Sequence, residues 1–352
     1  VITEQLQQFA EDKGLYYPVD FASAGSSQIG GNIGTNAGGI KVIRYGMTRN
    51  WVLGLTVVTG KGDILELNRG MIKNATGYDL RHLFIGAEGT LGIVTKAQMR
   101  LERAPQDLTV MVFGMDEFEH VMNVLSAFQS QLDLTAFEFF DDVAIEKLMA
   151  TGHVQEPFEA RTKYYALLEF EAPYEPIMDK AMAMFEQCME NGWIVDGVMS
   201  QSLSQAAELW KLREYISETI SVFTPYKNDV SVLISYVPEF IKDIEQVVNT
   251  NYPDFEICWF GHIGDGNLHL NILKPENLTK DEFFEKCQSV NDLVFQAVQK
   301  YGGSVSAEHG VGMTKKPYLN YSRSETEIEY LKELKKVFDP NGIMNRGKIF
   351  DI

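Results

Sequence analysis

Cysteine is scarce in this chain. Cys188, Cys258 and Cys287 are scattered and odd in number, so they supply neither a disulfide framework nor a CxxC metal pair. Structural thiols in a reducing compartment are the expectation. Basic residues are also in deficit, 31 against 49 acidic ones, which gives a formal charge of −18. That balance argues against nucleic acid or an anionic membrane as partner, because both are bound through basic patches. A small anionic substrate remains compatible with it wherever a few cations converge. No apolar run approaches the ~18 residues of a membrane span, and a soluble protein with no membrane span is expected. Prolines number only 11 in 352 residues of which 45% are hydrophobic, a composition that can bury a core in about two domains.

What is present centres on Trp259 to Asn271, WFGHIGDGNLHLN, together with Ser304 to Gly312, SVSAEHGVG. Asp265-Gly266 is a strong signal for a two-residue hairpin loop, which needs positive φ at both central positions. Closed in that way, the hairpin pairs Gly264 with Asn267 and sets His262 directly opposite His269, with Cβ atoms about 5 Å apart. Period-two alternation adds Asn267 and Asn271 to the same face and turns Leu268 and Leu270 toward a core. The second segment supplies Glu308 beside His309. Both can serve one site only where the backbone bends, which Gly310 and Gly312 permit. His262, His269 and Glu308 then form a two-imidazole, one-carboxylate set with an open position, as in catalytic zinc sites. A plain turn with hydrogen-bonded histidines is the alternative, weighed against three of the six histidines falling in these two stretches.

Two other stretches are poor in side-chain bulk. Ser23 to Gly39, SAGSSQIGGNIGTNAGG, has five glycines in its last ten residues, with Ile29, Asn32, Ile33, Thr35 and Asn36 interleaved. Glycine lets backbone approach a ligand, and consecutive amides can donate to its oxygens. A flexible surface loop is the alternative for such composition. The second stretch bends at Gly86, Gly89 and Gly92, after a short helix around Leu80 to Phe84. Between the two, Trp51 to Thr59 and Ile64 to Leu67 predict a hairpin. Residues 1 to 14 read as the end of an amphipathic helix, so the chain is expected to start inside one.

From Leu108 onward, strands and helices alternate: Leu108–Phe113, Phe118–Phe128, Thr135–Phe140, Ala144–Met149, Tyr164–Phe170, Ile177–Met189 and Trp193–Met199. Antiparallel sheet with helices on one face, in a ferredoxin-like arrangement, is the economical packing for that order. The methionines of the 177–189 helix read as core. Gln205 to Ile220 predicts a helix burying Leu209, Leu212, Ile216 and Ile220, with Arg213 and Ser217 on a neighbouring face. Asp229–Val237 predicts a strand, and Phe240–Val248, Asp281–Tyr301 and Glu325–Phe338 predict helices.

These motifs resemble the FAD-linked 2-hydroxyacid dehydrogenase and oxidase family, of the vanillyl-alcohol-oxidase type, over nearly the whole chain. The resemblance implies an α+β protein in which residues 1–104 are the C-terminal part of a PCMH-type FAD-binding domain. Residues 105–338 would then be a ferredoxin-like antiparallel-sheet cap that binds substrate, and residues 339–352 a tail returning to the flavin domain. It assigns FAD contacts to Ser27, Ile29, Gly30, Gly31, Asn32, Thr35, Asn36, Gly38 and Gly39, and to Glu88, Gly89, Gly92 and Ile93. Asn345, in the closing DPNGIMNRGK, joins them; Arg346 stands there where the family has proline. Arg213, Ser217 and Lys227 match the family's substrate-carboxylate residues, with Ser217 in place of threonine. A guanidinium fork suits one carboxylate and a second cation suits a dicarboxylic acid. The family's pyrophosphate-binding loop has no counterpart here, so we expect an N-terminally truncated piece that binds FAD weakly or not at all.

The implied reaction is oxidation of a D-2-hydroxyacid, D-2-hydroxyglutarate to 2-oxoglutarate in the first instance, with hydride transfer from C2 to the flavin. A divalent metal of zinc type would polarise the hydroxyl, His309 would accept its proton, and Asn271 would orient the substrate. D-Lactate or glycolate is the alternative acid, and a flavin-free metallohydrolase or metal-binding module the alternative class. The resemblance further implies an electron acceptor such as an electron-transfer flavoprotein, quinone or cytochrome. It is compatible with a homodimer, and with a bacterial cytoplasm or a mitochondrial matrix.

Overall fold

The computed structural model describes residues 1–352 and divides them into two compact units, Val1–Ala104 with Ser304–Ile352, and Pro105–Gly303. The first unit opens with helix α1 (Thr3–Glu11) and a two-residue strand β1 (Leu15–Tyr16). The glycine-rich stretch then folds as a helix, α2 (Ile29–Thr35), rather than as a loop. Its apolar residues explain why: Ile29 and Ile33, one turn apart, are buried together with Trp51, Leu55, Val57 and Phe84. Asn32 joins them, donating to the buried Thr3 hydroxyl at 2.8 Å. Helix α3 (Val42–Tyr45) precedes the predicted hairpin of β2 (Val52–Thr59) and β3 (Ile64–Leu67). After α4 (Arg81–Phe84), strand β4 (Gly92–Met99) completes a three-stranded antiparallel sheet, and β5 (Glu102–Arg103) pairs with β1.

The second unit is built on a seven-stranded antiparallel sheet. Strand β6 (Leu108–Met115), helix α5 (Phe118–Gln129), strand β7 (Leu134–Asp141), helix α6 (Asp142–Thr151), strand β8 (Tyr164–Glu171), helix α7 (Glu175–Glu190) and strand β9 (Asp196–Met199) follow the predicted order. Their spatial order β7-β8-β6-β9 is the ferredoxin-like one. Helix α8 (Leu203–Glu214), helix α9 (Ile216–Ser221), strand β10 (Tyr226–Ser231), helix α10 (Val237–Asn251), strand β11 (Ile257–Gly261), strand β12 (Asn267–Ile272) and helix α11 (Lys280–Lys300) extend the sheet as β10-β12-β11 beside β7.

Every residue of β7 is buried, so both sheet faces are covered. Phe118 of α5 meets Phe139 and Tyr164 edge-on at 5.6 and 5.5 Å on one face. Helix α8 covers the other, where Trp210 donates to Glu169 at 2.8 Å and Arg213 meets Glu138. Helices on a single face were expected; the acidic residues inside β7 and β8 are what the second layer answers. Strand β10 starts and stops earlier than predicted, because residues 232–236 turn into a short 3-10 segment at Ile234–Tyr236.

Residues from Ser304 on rejoin the first unit, ending in α12 (Glu325–Phe338) and the tail. Phe338 packs edge-on against Phe84 at 5.0 Å, while the buried ammonium of Lys335 donates to Thr90 and Met344 carbonyls and to Asp339. Only residues 339–352 had been assigned to that return; these contacts carry it back through α12.

Candidate active site

The histidine hairpin differs from its predicted register. Phe260, not His262, lies opposite His269, and the loop between β11 and β12 spans five residues, His262 to Gly266, instead of two. The Asn267 amide donates to the His262 carbonyl at 3.2 Å and to the Asp265 carboxylate at 3.1 Å, which favours a tighter local turn inside the loop. Gly266 sits at φ +82°, and a Cβ there would fall 2.1 Å from the Val232 carbonyl oxygen, so the bend is held against the neighbouring chain. The register moves by two residues, and a shift of two preserves side-chain face. His262 and His269 therefore still share one side, diagonally, with ring centroids 5.3 Å apart and planes at 85°.

That face is polar on β10 and β12, where Lys227, Asp229 and Ser231 stand opposite Asn271, His269 and Asn267. Strand β11 places Cys258 and Phe260 there, and Glu138 of β7 stands two strands beyond β12. The Nδ1 atom of His262 lies 2.8 Å from both oxygens of Glu138, which is 1% exposed. A carboxylate only accepts, so Nδ1 carries the hydrogen and Nε2 keeps its lone pair. The Nδ1 of His269 faces Asp229 at 3.8 Å, and Asp229 in turn accepts from Asn267 at 2.8 Å. A carboxylate behind each imidazole is the arrangement that orients metal-ligating histidines.

His262 and His269 bring two candidate ligands together within the second unit; Glu308, the third candidate, belongs to the first. Zinc bonds of about 2.0–2.2 Å set tetrahedral ligand atoms about 3.4 Å apart. Two imidazoles with one carboxylate are the donor chemistry such an ion takes. His309 is exposed, its Nε2 3.8 Å from Glu308.

The substrate residues proposed from the motif divide by environment. Arg213 is 5% exposed, its Nε 2.8 Å from Glu138 and its guanidinium stacked on Phe260 at 4.8 Å. Its place in the buried stripe of α8, with Ala206 and Trp210, corrects the expectation of a neighbouring face. Lys227 is partly exposed, and desolvation by the surrounding protein pulls its ammonium below the usual lysine range. Ser217 lies on α9, because the predicted helix breaks at Tyr215. Asn271 is buried and its amide donates to the carbonyls of His269 and Cys258 at 3.1 and 3.3 Å, so it also ties the hairpin together.

In the first unit the residues expected to touch flavin behave unequally. Ile29 and Asn32 are buried in the unit's own core, and Gly92 packs against Val58 within the sheet, so their side-chain positions serve the fold. Gly30 and Gly31 instead present bare backbone to open space, where a Cβ would meet nothing within 4 Å. Ser27 shares a hydroxyl bond with Thr3 at 2.7 Å, Thr35 donates to Gly31, and Asn36 accepts from Arg49. Glu88, at φ +49°, accepts from the amides of Val311 and Gly312 at 2.6 and 2.8 Å, and its carbonyl accepts from the Asn345 amide. A Cβ on Gly38 would lie 3.1 Å from Glu308. Gly38, Glu88, Glu308 and Asn345 thus converge on the 308–312 turn, while Gly39 and Gly89 hold positive φ beside it and Ile93 is exposed. The bare backbone at Gly30 and Gly31 fits close approach of a planar cofactor. Glu138 and Asp229, the carboxylates that face the two histidines, were not among the candidates; each is far in sequence from the histidine it faces.

The architecture is that of PCMH-type flavin oxidases. A 4-ethylphenol oxidase structure from Gulosibacter chungangensis matches with a TM-score of 0.73 at 15% identity, covering 100% of this chain and 75% of its own. Residues 104–349 match the family described as FAD linked oxidases, C-terminal domain, and residues 1–68 match the FAD binding domain. D-2-hydroxyglutarate dehydrogenase of Stutzerimonas stutzeri is 70% identical over 99% of this chain and 75% of its own length. The protein of the same name from Xanthomonas citri pv. viticola is 52% identical over 99% and 74%. The chain belongs to the FAD-linked oxidase family, a family of oxidoreductases.

Proposed function

We propose that this chain oxidises a D-2-hydroxyacid at FAD, with D-2-hydroxyglutarate as the substrate and 2-oxoglutarate as the product. The observation that carries the reading is the pair His262 and His269, each imidazole facing a carboxylate, to which the reading adds Glu308 as the third ligand. The close relatives named D-2-hydroxyglutarate dehydrogenase support the choice of acid. FAD, when bound, would supply the hydride acceptor for C2, and a divalent ion, zinc by donor type, which His262, His269 and Glu308 would hold, would supply Lewis-acid polarisation of the hydroxyl.

The chain's own residues supply the rest. His309 accepts the hydroxyl proton at Nε2. Arg213 binds one carboxylate through its terminal nitrogens, since its Nε side is committed to Glu138. Lys227, whose ammonium is desolvated without a protein carboxylate, takes the second and recovers a counter-charge. Ser217 and Asn271 complete the substrate contacts. Gly30, Gly31, Gly38, Glu88 and Asn345 line the flavin side, and an electron-transfer flavoprotein, quinone or cytochrome reoxidises it.

The test is metal analysis and a visible flavin spectrum on the protein, followed by anaerobic reduction with a panel of 2-hydroxyacids. One metal per chain and bleaching by D-2-hydroxyglutarate are expected. Faster reduction by D-lactate would overturn the choice of acid, and a full-length gene product that purifies colourless would overturn the reading.

A further inference from the structure

We propose that Glu138 is a positioning residue that couples metal binding to substrate-carboxylate binding; the proposal rests on the metal and substrate assignments above. Glu138 lies inside β7, 1% exposed, and no ligand need touch it. Both of its oxygens lie 2.8 Å from His262 Nδ1, and Oε2 also lies 2.8 Å from Arg213 Nε. The Nε atom of Arg213 has no hydrogen-bond partner, so its attachment to Glu138 is ionic rather than directional. One carboxylate therefore does two things. It fixes the hydrogen of His262 on Nδ1, leaving Nε2 for the ion, and it holds the Arg213 guanidinium over the Phe260 ring at 4.8 Å. The fork of Arg213 is then presented with the Nε edge already occupied, and its terminal nitrogens are left for an incoming carboxylate.

Glu169 provides the contrast. It is a buried carboxylate facing the same α8 helix, held by Trp210 at 2.8 Å and Thr135 at 2.5 Å, and neither His262 nor Arg213 is among those partners. A purely structural role for buried acids in this sheet would make the two equivalent.

The experiment compares wild type, Glu138→Gln and Glu169→Gln as the full chain. Zinc affinity is read by competition with a chromophoric chelator, and steady-state rates are measured with D-2-hydroxyglutarate. For Glu138→Gln we expect zinc affinity to fall about 10- to 100-fold and KM to rise more than kcat falls at saturating metal. Glu169→Gln is expected to keep wild-type zinc affinity even if it melts earlier. A Glu138→Gln protein with unchanged zinc affinity and KM would overturn the proposal while leaving the metal reading intact. A wild type that binds no zinc would overturn the metal reading and this proposal with it. Because the variant could fail to fold, nitrogen-15 spectra of histidine-labelled, metal-free wild type give a second test. A neutral Nδ1–H tautomer at His262 supports the proposal, and an Nε2–H tautomer would overturn it.

Discussion

Arg213 and Lys227 are the two cations proposed to bind substrate, and their surroundings differ. The guanidinium is buried against Glu138, so truncating it strands an ionised carboxylate inside the sheet and costs stability as well as binding. Lys227 is more accessible and carries no such partner, which makes it the cleaner probe of substrate choice. Lys227→Ala is expected to raise KM for D-2-hydroxyglutarate at least tenfold, about 1.4 kcal/mol of binding, and to leave KM for D-lactate within twofold. Initial-rate measurements on both acids check this, and equal losses on the two would deny Lys227 a role in reading the second carboxylate. The proposed metal ligands stood out in the sequence because two imidazoles and a carboxylate fall in two short motifs. Glu138 was not, because its meaning comes from strand pairing across more than a hundred residues.

Element by element, alternation survived where register did not. The hairpin signal at Asp265-Gly266 led to the correct face for His262 and His269, since parity depends only on an even shift. It missed the partner of each, because Asp265 and Gly266 bond within a longer loop and against Val232. The glycine-rich α2 escaped prediction for a related reason. Helix propensity at its glycines is poor, and burial of Ile29 and Ile33 overrides it.

Helix α6 carries a pH-dependent element of its own. Asp141 caps it, accepting from Ala144 at 2.9 Å while also accepting from the β11 amide of Trp259 at 2.7 Å. Burial pushes this carboxyl up to about 8 despite those two donors. An unfolded aspartate titrates near 3.9, so between about pH 4 and 8 the folded chain keeps a proton that the unfolded chain has released. Stability therefore falls as pH rises through that window. Melting temperatures taken from pH 5 to 8 should decline more steeply in wild type than in Asp141→Asn. Parallel slopes would exclude Asp141 as the source.

For the molecule as a whole, a formal charge of −18 works against an anionic substrate, whatever the local cations achieve. Added salt screens the long-range repulsion over a Debye length of about 10 Å at 0.1 M, and it reaches a substrate seated among partly buried cations much less. We expect kcat/KM for D-2-hydroxyglutarate to rise severalfold between 10 and 150 mM salt. A fall over the same range would show that local attraction sets the encounter.

Residues 105–303 interrupt the first unit in sequence, and it resumes at Ser304. Such an insertion behaves as a cassette. In a chimera that exchanges this cassette between members of the family, Arg213, Ser217 and Lys227 travel with the graft while His309 stays with the host. Preference for one acid over another should follow the donor, and the proton acceptor should remain the recipient's.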